Sequence, residues 1–468
     1  MSLENTQDNL GTESITKLLI KFSIPAIVGM VVNMLYNVID RMYIGNIPNV
    51  GGLAITGVGI TMPVTQIITA FGMLVGIGTC ASISIAFGKR RKDEAEGYLG
   101  NGLTLILIIS AIIAVFGNIF AEQILTLFGA SENTLPYALA YIRPLFWGTI
   151  CNLFAFGLNN SVRSDGNPKI SMYTMMIGAG INIVLDPIFI FGLNLGIQGA
   201  AYATVISQFI AGCWVLYYFT KSKKSSIKLK TSTMKLSLPV VKGILMIGLS
   251  PFLMQMASSV VSVIANNALM THGGDLAIGA MAIITSVCSI FVMPIYGLNQ
   301  GSQPIIGYNY GAKNYARVRQ TYVYSLIACT VILTISSVIV QAFPEFAVSM
   351  FNKDPQLTDK TVAGMKLFLL SMPLIGIQMT ASTFYQAVGK PKKAMIISLS
   401  RQVIFLIPAF LFLPRMFGLI GVWLAGPIAD TLAVMVSGFI IFKEMISLKK
   451  LDAEMNEEEE CSAEEISA

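Results

Sequence analysis

Charge is what this 468-residue chain lacks: Asp, Glu, Lys and Arg together make up 12% of it, about half the share found in soluble globular proteins. A water-exposed surface cannot be built from so little, so the two or three soluble domains that the length alone would allow are excluded. Histidine occurs once, at His272 in a connection beside Gly273 and Gly274, and is assigned no role. The six cysteines (Cys80, Cys151, Cys213, Cys288, Cys329, Cys461) show no CxxC spacing, so neither a disulfide framework nor a metal knuckle is indicated. There is no GxxxxGK[ST] loop and no HExxH, which removes a nucleotide-driven pump and a zinc protease. Without a nucleotide site or a nucleophilic dyad the chain reads as no enzyme and needs no cofactor. Met1 to Thr16 is polar, with acids and no basic residue, so a cleaved signal is not expected.

Hydrophobic residues are abundant instead, at 54%, with a mean hydropathy of +0.70. Stretches such as 105–120 and 396–413 carry no charge or almost none, and bilayer spans need about 20 such residues. Twelve apolar segments are expected. Six lie near 17–45, 53–87, 99–128, 135–162, 169–192 and 197–220, and six near 240–270, 276–310, 318–343, 361–388, 394–414 and 418–444. They lack the alternation of a membrane barrel, and helices satisfy their own backbone in lipid. The fold class expected is an all-α polytopic membrane protein.

Lys and Arg are unevenly spread. Every second connection is basic, as at Lys89, Arg90, Arg91 and Lys92, at Lys221 to Lys235, and at Lys390, Lys392 and Lys393. The connections near 46–52, 129–134, 193–196 and 271–275 have none, whereas the one near 352–360 holds Lys353 and Lys360. The positive-inside rule then puts both termini in the cytoplasm and ties the excess positive charge to topology, not to nucleic acid.

The chain also matches itself. At an offset of 223 residues Gly78 falls on Gly301, Gly88 on Gly311, Arg143 on Lys366 and Gly166 on Gly389; after a one-residue slip Gly196 and Gly199 fall on Gly418 and Gly421. Twelve helices in two pseudo-symmetric six-helix lobes follow, as parallel repeats about an axis along the membrane normal. The bounds expected are a polar N-terminus 1–16, an N-lobe 17–220, a basic linker 221–239, a C-lobe 240–446 and an acidic, disordered tail 447–468.

Acids within spans are rare in this chain and expensive, at roughly 2.5 to 3.5 kcal/mol each on insertion scales, which makes them functional candidates. Asp40 shares one helix face with Asn33 and Asn37, Asp186 shares another with Asn182, and Thr204 lies in the next helix. Their oxygens suit a proton carrier or a Na⁺ site. Two local alternatives stand beside that reading: Asp40 pairing with Arg41, and Asp186 accepting backbone N–H groups freed by Pro187. The repeat equivalents Asn266 and Ala409 are not acidic, which points to one lobe coupling an ion. Asp165 and Asp430 are weaker candidates. Pro25 and its counterpart Pro251 are expected to interrupt the first helix of each half. The 25 methionines and the aromatic residues offer an adaptable lining for flat lipophilic ligands.

With Ser23-Ile24-Pro25, the run Asn37 to Gly45 (NVIDRMYIG), Arg163 to Pro168 (RSDGNP) and Asn182 to Pro187 (NIVLDP), the sequence resembles a MATE (multidrug and toxic compound extrusion) transporter of the prokaryotic DinF-like branch, over about residues 14 to 446. The resemblance implies export of amphipathic, often cationic compounds by H⁺ or Na⁺ antiport from a prokaryotic cytoplasmic membrane, by a monomer. It places an ion site on Asp40, Asn182, Asp186 and Thr204, with Asn160 nearby, and a bend at Pro25. Asn33, Asn37, Asn160 and Gln255 are candidates for the substrate cavity; Gln255 stands where the NorM-like branch has a carboxylate. The alternative is a flippase for a lipid-linked sugar or peptidoglycan precursor, whose pyrophosphate would need a basic cavity such as Arg143 and Lys366 would form if they were not snorkelling or paired. An intramembrane enzyme would need clustered catalytic side chains that the sequence does not offer.

Overall fold

A computed structural model describes residues 9–467 except 49, 350 and 352–354, with the side chains of 275, 456 and 458–467 outside the description. The first half of the polar N-terminal segment, Lys353, and the glutamate side chains beyond 457 therefore lie outside the described residues.

The described chain is helical throughout its apolar segments. Ten helices are long and apolar enough to cross a membrane: α1 (Ile15–Gly45), α2 (Gly51–Gly88), α3 (Lys92–Ile119), α5 (Pro168–Gly192), α6 (Ile197–Thr220), α7 (Leu238–Gly274), α8 (Leu276–Gly311), α9 (Tyr315–Ala342), α11 (Pro391–Phe417) and α12, whose span is Leu419–Met455. Two further spans are broken pairs. We label them α4 (Leu135–Trp147 with Thr149–Ser164, bent by 59°) and α10 (Pro355–Phe368 with Met372–Ala387, bent by 52°), which brings the total to twelve. The protein is a multi-pass membrane protein.

The internal repeat is visible in backbone geometry. Both ends of α3 recur in α9 at a shift of 223 residues, and both broken helices are the fourth of their half. Left-handed residues recur in the same places: Arg90 (φ 59°) with Lys313 (φ 60°), Gly166 (84°) with Gly389 (70°), and Gly196 (55°) with Gly418 (56°). The last pair agrees in ψ as well, −133° and −136°. Such angles favour glycine, so the sequence match at these positions is a match in turn chemistry.

Two compact units result, one built on Ile24–Met256, the other on Leu10–Ser23 with the chain from Ala257 onward. The division thus falls inside α1 and α7, and side chains explain it. Within the second unit, Arg317 donates to the carbonyls of Leu10 (3.1 Å) and Glu13 (2.6 Å), and Asn309 donates to Leu10 O (3.0 Å). Gly301 of α8 lets α1 approach so closely that a Cβ would stand 2.7 Å from Ser23 Cα. Within the first unit, Gly78 of α2 does the same for α7, with a Cβ 2.1 Å from Ile244 O. The linker is held there too: Glu96 accepts from Lys228 N (3.1 Å) and pairs with Lys230 (2.5 Å), and Asn101 Oδ1 accepts from Ser237 N (2.8 Å).

Two features differ from the sequence expectation. α1 stays helical through Pro25, which is buried inside it; neighbouring helices tolerate the lost hydrogen bond where lipid would not. The C-terminal stretch is helical to Ser467, continuous with α12. Its Leu, Lys, Glu, Met and Ala residues are strong helix formers, and propensity outweighs the repulsion among like charges that suggested disorder.

Candidate functional site

Asp40 comes from the last third of α1 and Asp186 from the end of α5, where the helix widens into a π-type turn, Ile188–Gly192, after Pro187. Such turns are frequent at functional sites. The two carboxyl groups meet within hydrogen-bonding contact. Both are buried, Asp40 at 6% exposure and Asp186 at 0%. Asn182 Nδ2 donates to Asp186 Oδ1 (3.2 Å) and to Thr204 Oγ1 of α6 (3.3 Å). All four residues expected in the ion site are therefore brought together, inside one unit.

The bonding leaves a surplus of acceptors. Asp40 Oδ1, Asp186 Oδ2 and Asn182 Oδ1 are buried without a hydrogen-bond partner among the described residues. Arg41 is exposed and forms no ion pair with Asp40 among those residues, its charge reaching Asp40 only from farther off, and Asp186 accepts from Asn182 but from no described backbone N–H near Pro187. Neither local alternative therefore forms a direct bond to its acid. Two carboxylates in contact and cut off from water repel unless a proton or a hard cation lies between them, and oxygen-only ligands are what such a cation prefers. No group of three or more His, Cys, Asp or Glu forms among the described residues, so the donor set suits a monovalent ion better than a transition metal.

Tyr36 and Tyr141 were missed by sequence reasoning. Both lie close enough to feel the charge of Asp40 and Asp186. Tyr36 had a signal, since it lies four residues before Asp40 on the face of Asn33 and Asn37; Tyr141, on α4, had none. Asn33 and Tyr36 also line a cavity of about 110 Å³ with Asn152, Asn159, Ser207 and Gln208, all in the same unit. That volume holds a few waters, and its wall mixes these polar groups with apolar ones such as Ala155, Phe156 and Met175. Asn37 donates to Asn33 O (2.7 Å) and Oδ1 (3.1 Å), so this pair is locally satisfied.

The other candidates are placed elsewhere. Asn160 accepts from Arg163 and donates to Phe156 O (3.1 Å), away from the carboxyl pair. Gln255 is half-buried on α7 and lines neither the carboxyl cluster nor the cavity. Asp165 accepts from Tyr218 Oη (2.6 Å) and from Ser226 N (3.1 Å), fastening the linker to the unit. Asp430, a buried acid of the other unit, is paired with Arg401 (2.5 Å) and accepts from Ser371 Oγ (2.7 Å).

Comparison with known proteins fits this arrangement. A family model described as MatE matches residues 25–188 and again 251–411, so one pattern recognises both repeats. The multidrug export protein MepA of Staphylococcus haemolyticus (strain JCSC1435) is 31% identical over 431 residues, covering 92% of this chain and 94% of that protein. MepA of Staphylococcus aureus (strain MRSA252) is 28% identical over 433 residues, covering 91% and 93%. A crystal structure of MATE in the bent conformation superposes with a TM-score of 0.89 at 25% identity, over 96% of this chain and 99% of that one. The outward-facing conformation of a multidrug resistance MATE family transporter gives 0.88 at 25% identity, over 94% and 98%. With both repeats matched and the relatives spanned nearly end to end, the chain belongs to the MATE family of transporters.

Proposed function

We propose that this chain exports amphipathic and cationic organic compounds across a bacterial cell membrane by antiport with H⁺ or Na⁺, with both termini in the cytoplasm. Asp40, Asn182, Asp186 and Thr204 hold the coupling ion, and its binding and release shift the protein between outward and inward openings. The observation that carries this reading is the contrast between the acids: Asp430 has a guanidinium bonded to it, whereas Asp40 and Asp186 touch each other and neither has a cation at ion-pairing distance among the described residues, Arg41 acting on Asp40 only from farther off. The MepA relatives are multidrug export proteins. Coupling through acids of the first unit, with Gln255 on α7 in place of an acid, favours a DinF-like over a NorM-like scheme. Pro25 lies within two residues of the unit boundary in α1, a position suited to a hinge. One charge crossing 100 mV supplies about 2.3 kcal/mol, close to fifty-fold in bias. A flippase reading is not favoured, since Arg143 and Lys366 are both exposed and the cavity that Arg143 lines holds no second basic residue among the described residues to match a pyrophosphate.

The test is dye efflux from proteoliposomes under imposed pH or Na⁺ gradients. Asp40→Asn and Asp186→Asn are each expected to lower gradient-driven efflux by about tenfold or more, the scale on which a lost charge at a coupling site is felt. Undiminished efflux in both variants would overturn the assignment.

A further inference from the structure

A second cavity, of about 630 Å³, opens between α4 and α6, and the ion site makes no use of it. Arg143 and Trp147, one turn apart on α4, form one wall; Gln198, Tyr202 and Val205 on α6 form the other. The floor is Gly148 at the break in α4, where a Cβ would stand 2.3 Å from Val205 Cγ2. Trp147 is 64% exposed and Tyr202 41%, and below them α6 continues as an exposed apolar stripe of Ile206, Phe209 and Ile210. On a membrane-spanning helix such a stripe faces lipid.

Arg143 makes no hydrogen bond and no ion pair with any described residue, and no acid lines the groove. A permanently charged group on a lipid-facing wall requires a counter-charge. Arg143 lies two turns inside α4, and helical side chains lean toward the helix N-terminus, which lifts the guanidinium toward the headgroup level of the leaflet where α4 begins. Tyr202 and Gln198 stand near that level at the start of α6.

We propose that this groove binds one anionic phospholipid. Its phosphodiester sits against Arg143, with Gln198 and the Tyr202 hydroxyl beside it, and an acyl chain lies over Gly148 and Val205. A guanidinium fork matches phosphate oxygens, and aromatic residues at headgroup depth fit the glycerol region. The inference rests on membrane embedding alone and does not depend on which ion or compound is transported.

Native mass spectrometry of the full chain, released from micelles containing phosphatidylglycerol or phosphatidylcholine with identical acyl chains, tests it. One phosphatidylglycerol is expected to be retained about fivefold better than phosphatidylcholine, the scale of one basic residue's attraction. Arg143→Gln removes the preference, Gln198→Leu lowers it, Arg143→Lys keeps most of it, and Lys366→Gln at the equivalent repeat position leaves it unchanged. Equal retention of the two lipids by the wild type, a preference that survives Arg143→Gln, or an equal loss with Lys366→Gln would overturn the proposal.

Discussion

A carboxylate's character is set by what stands beside it, and Asp165 shows this outside the spans. It is fully buried between α4 and α5, with no cation bonded to it, so burial pushes it up from an ordinary 3.8 to about 7, although Tyr218 and the Ser226 N–H partly oppose the shift. Between pH about 4 and about 7 the folded protein therefore holds a proton at Asp165 that the unfolded chain has released. More protons bound in the folded state means that stability falls as pH climbs through this window and levels off above it. Thermal unfolding in detergent from pH 5 to pH 8 should show a decline in the wild type that is smaller in Asp165→Asn, whose amide oxygen can still accept from Ser226. Parallel curves for the two proteins would show that Asp165 does not titrate there. The sequence flagged Asp165 only as a weak candidate, because the linker that covers it lies some 60 residues further along the chain.

Helix contacts are decided by which residues are missing a side chain. Gly78 and Gly301 are equivalent in the repeat, and each admits the first helix of the opposite half: α7 against α2, and α1 against α8. Apolar run lengths and the matched glycines made the twelve helices and their duplication legible in the sequence. The exchange of the first parts of α1 and α7 between units was not legible, since a hydrophobic face records that it is buried but not by which helix. The same limit applies to Tyr141, which reaches the carboxyl pair only through the packing of α4. Gly78→Val and Gly301→Val should each separate a helix pair and destabilise the protein by about 1 to 3 kcal/mol, seen as a lower unfolding temperature or lost yield. Gly97→Ala, on α3 with nothing within 4 Å of the added methyl, should be neutral or slightly stabilising. Similar behaviour of all three would mean that the close approach contributes little.

At the scale of the whole molecule, one backbone plan carries two different interiors. Arg401, Asp430 and Ser371 of the second half occupy the repeat positions of Gly178, Gln208 and Gly148 in the first. Gly178 and Gln208 line the small cavity that Asn33 and Tyr36 also line, so a place left open in one unit is filled by an ion pair in the other. A buried pair is worth little against an apolar replacement, but removing one partner strands the other, at a cost of about 3 to 5 kcal/mol. Arg401→Met alone should therefore lower the unfolding temperature sharply, and adding Asp430→Leu should recover most of the loss. Because the proposed ion ligands all lie in the other unit, the double variant should keep efflux that responds to an imposed pH or Na⁺ gradient, while Asp186→Asn should not. Efflux by the double variant that no longer responds to either gradient, with the folded protein intact, would assign coupling to both halves and remove the asymmetry on which the ion site is argued.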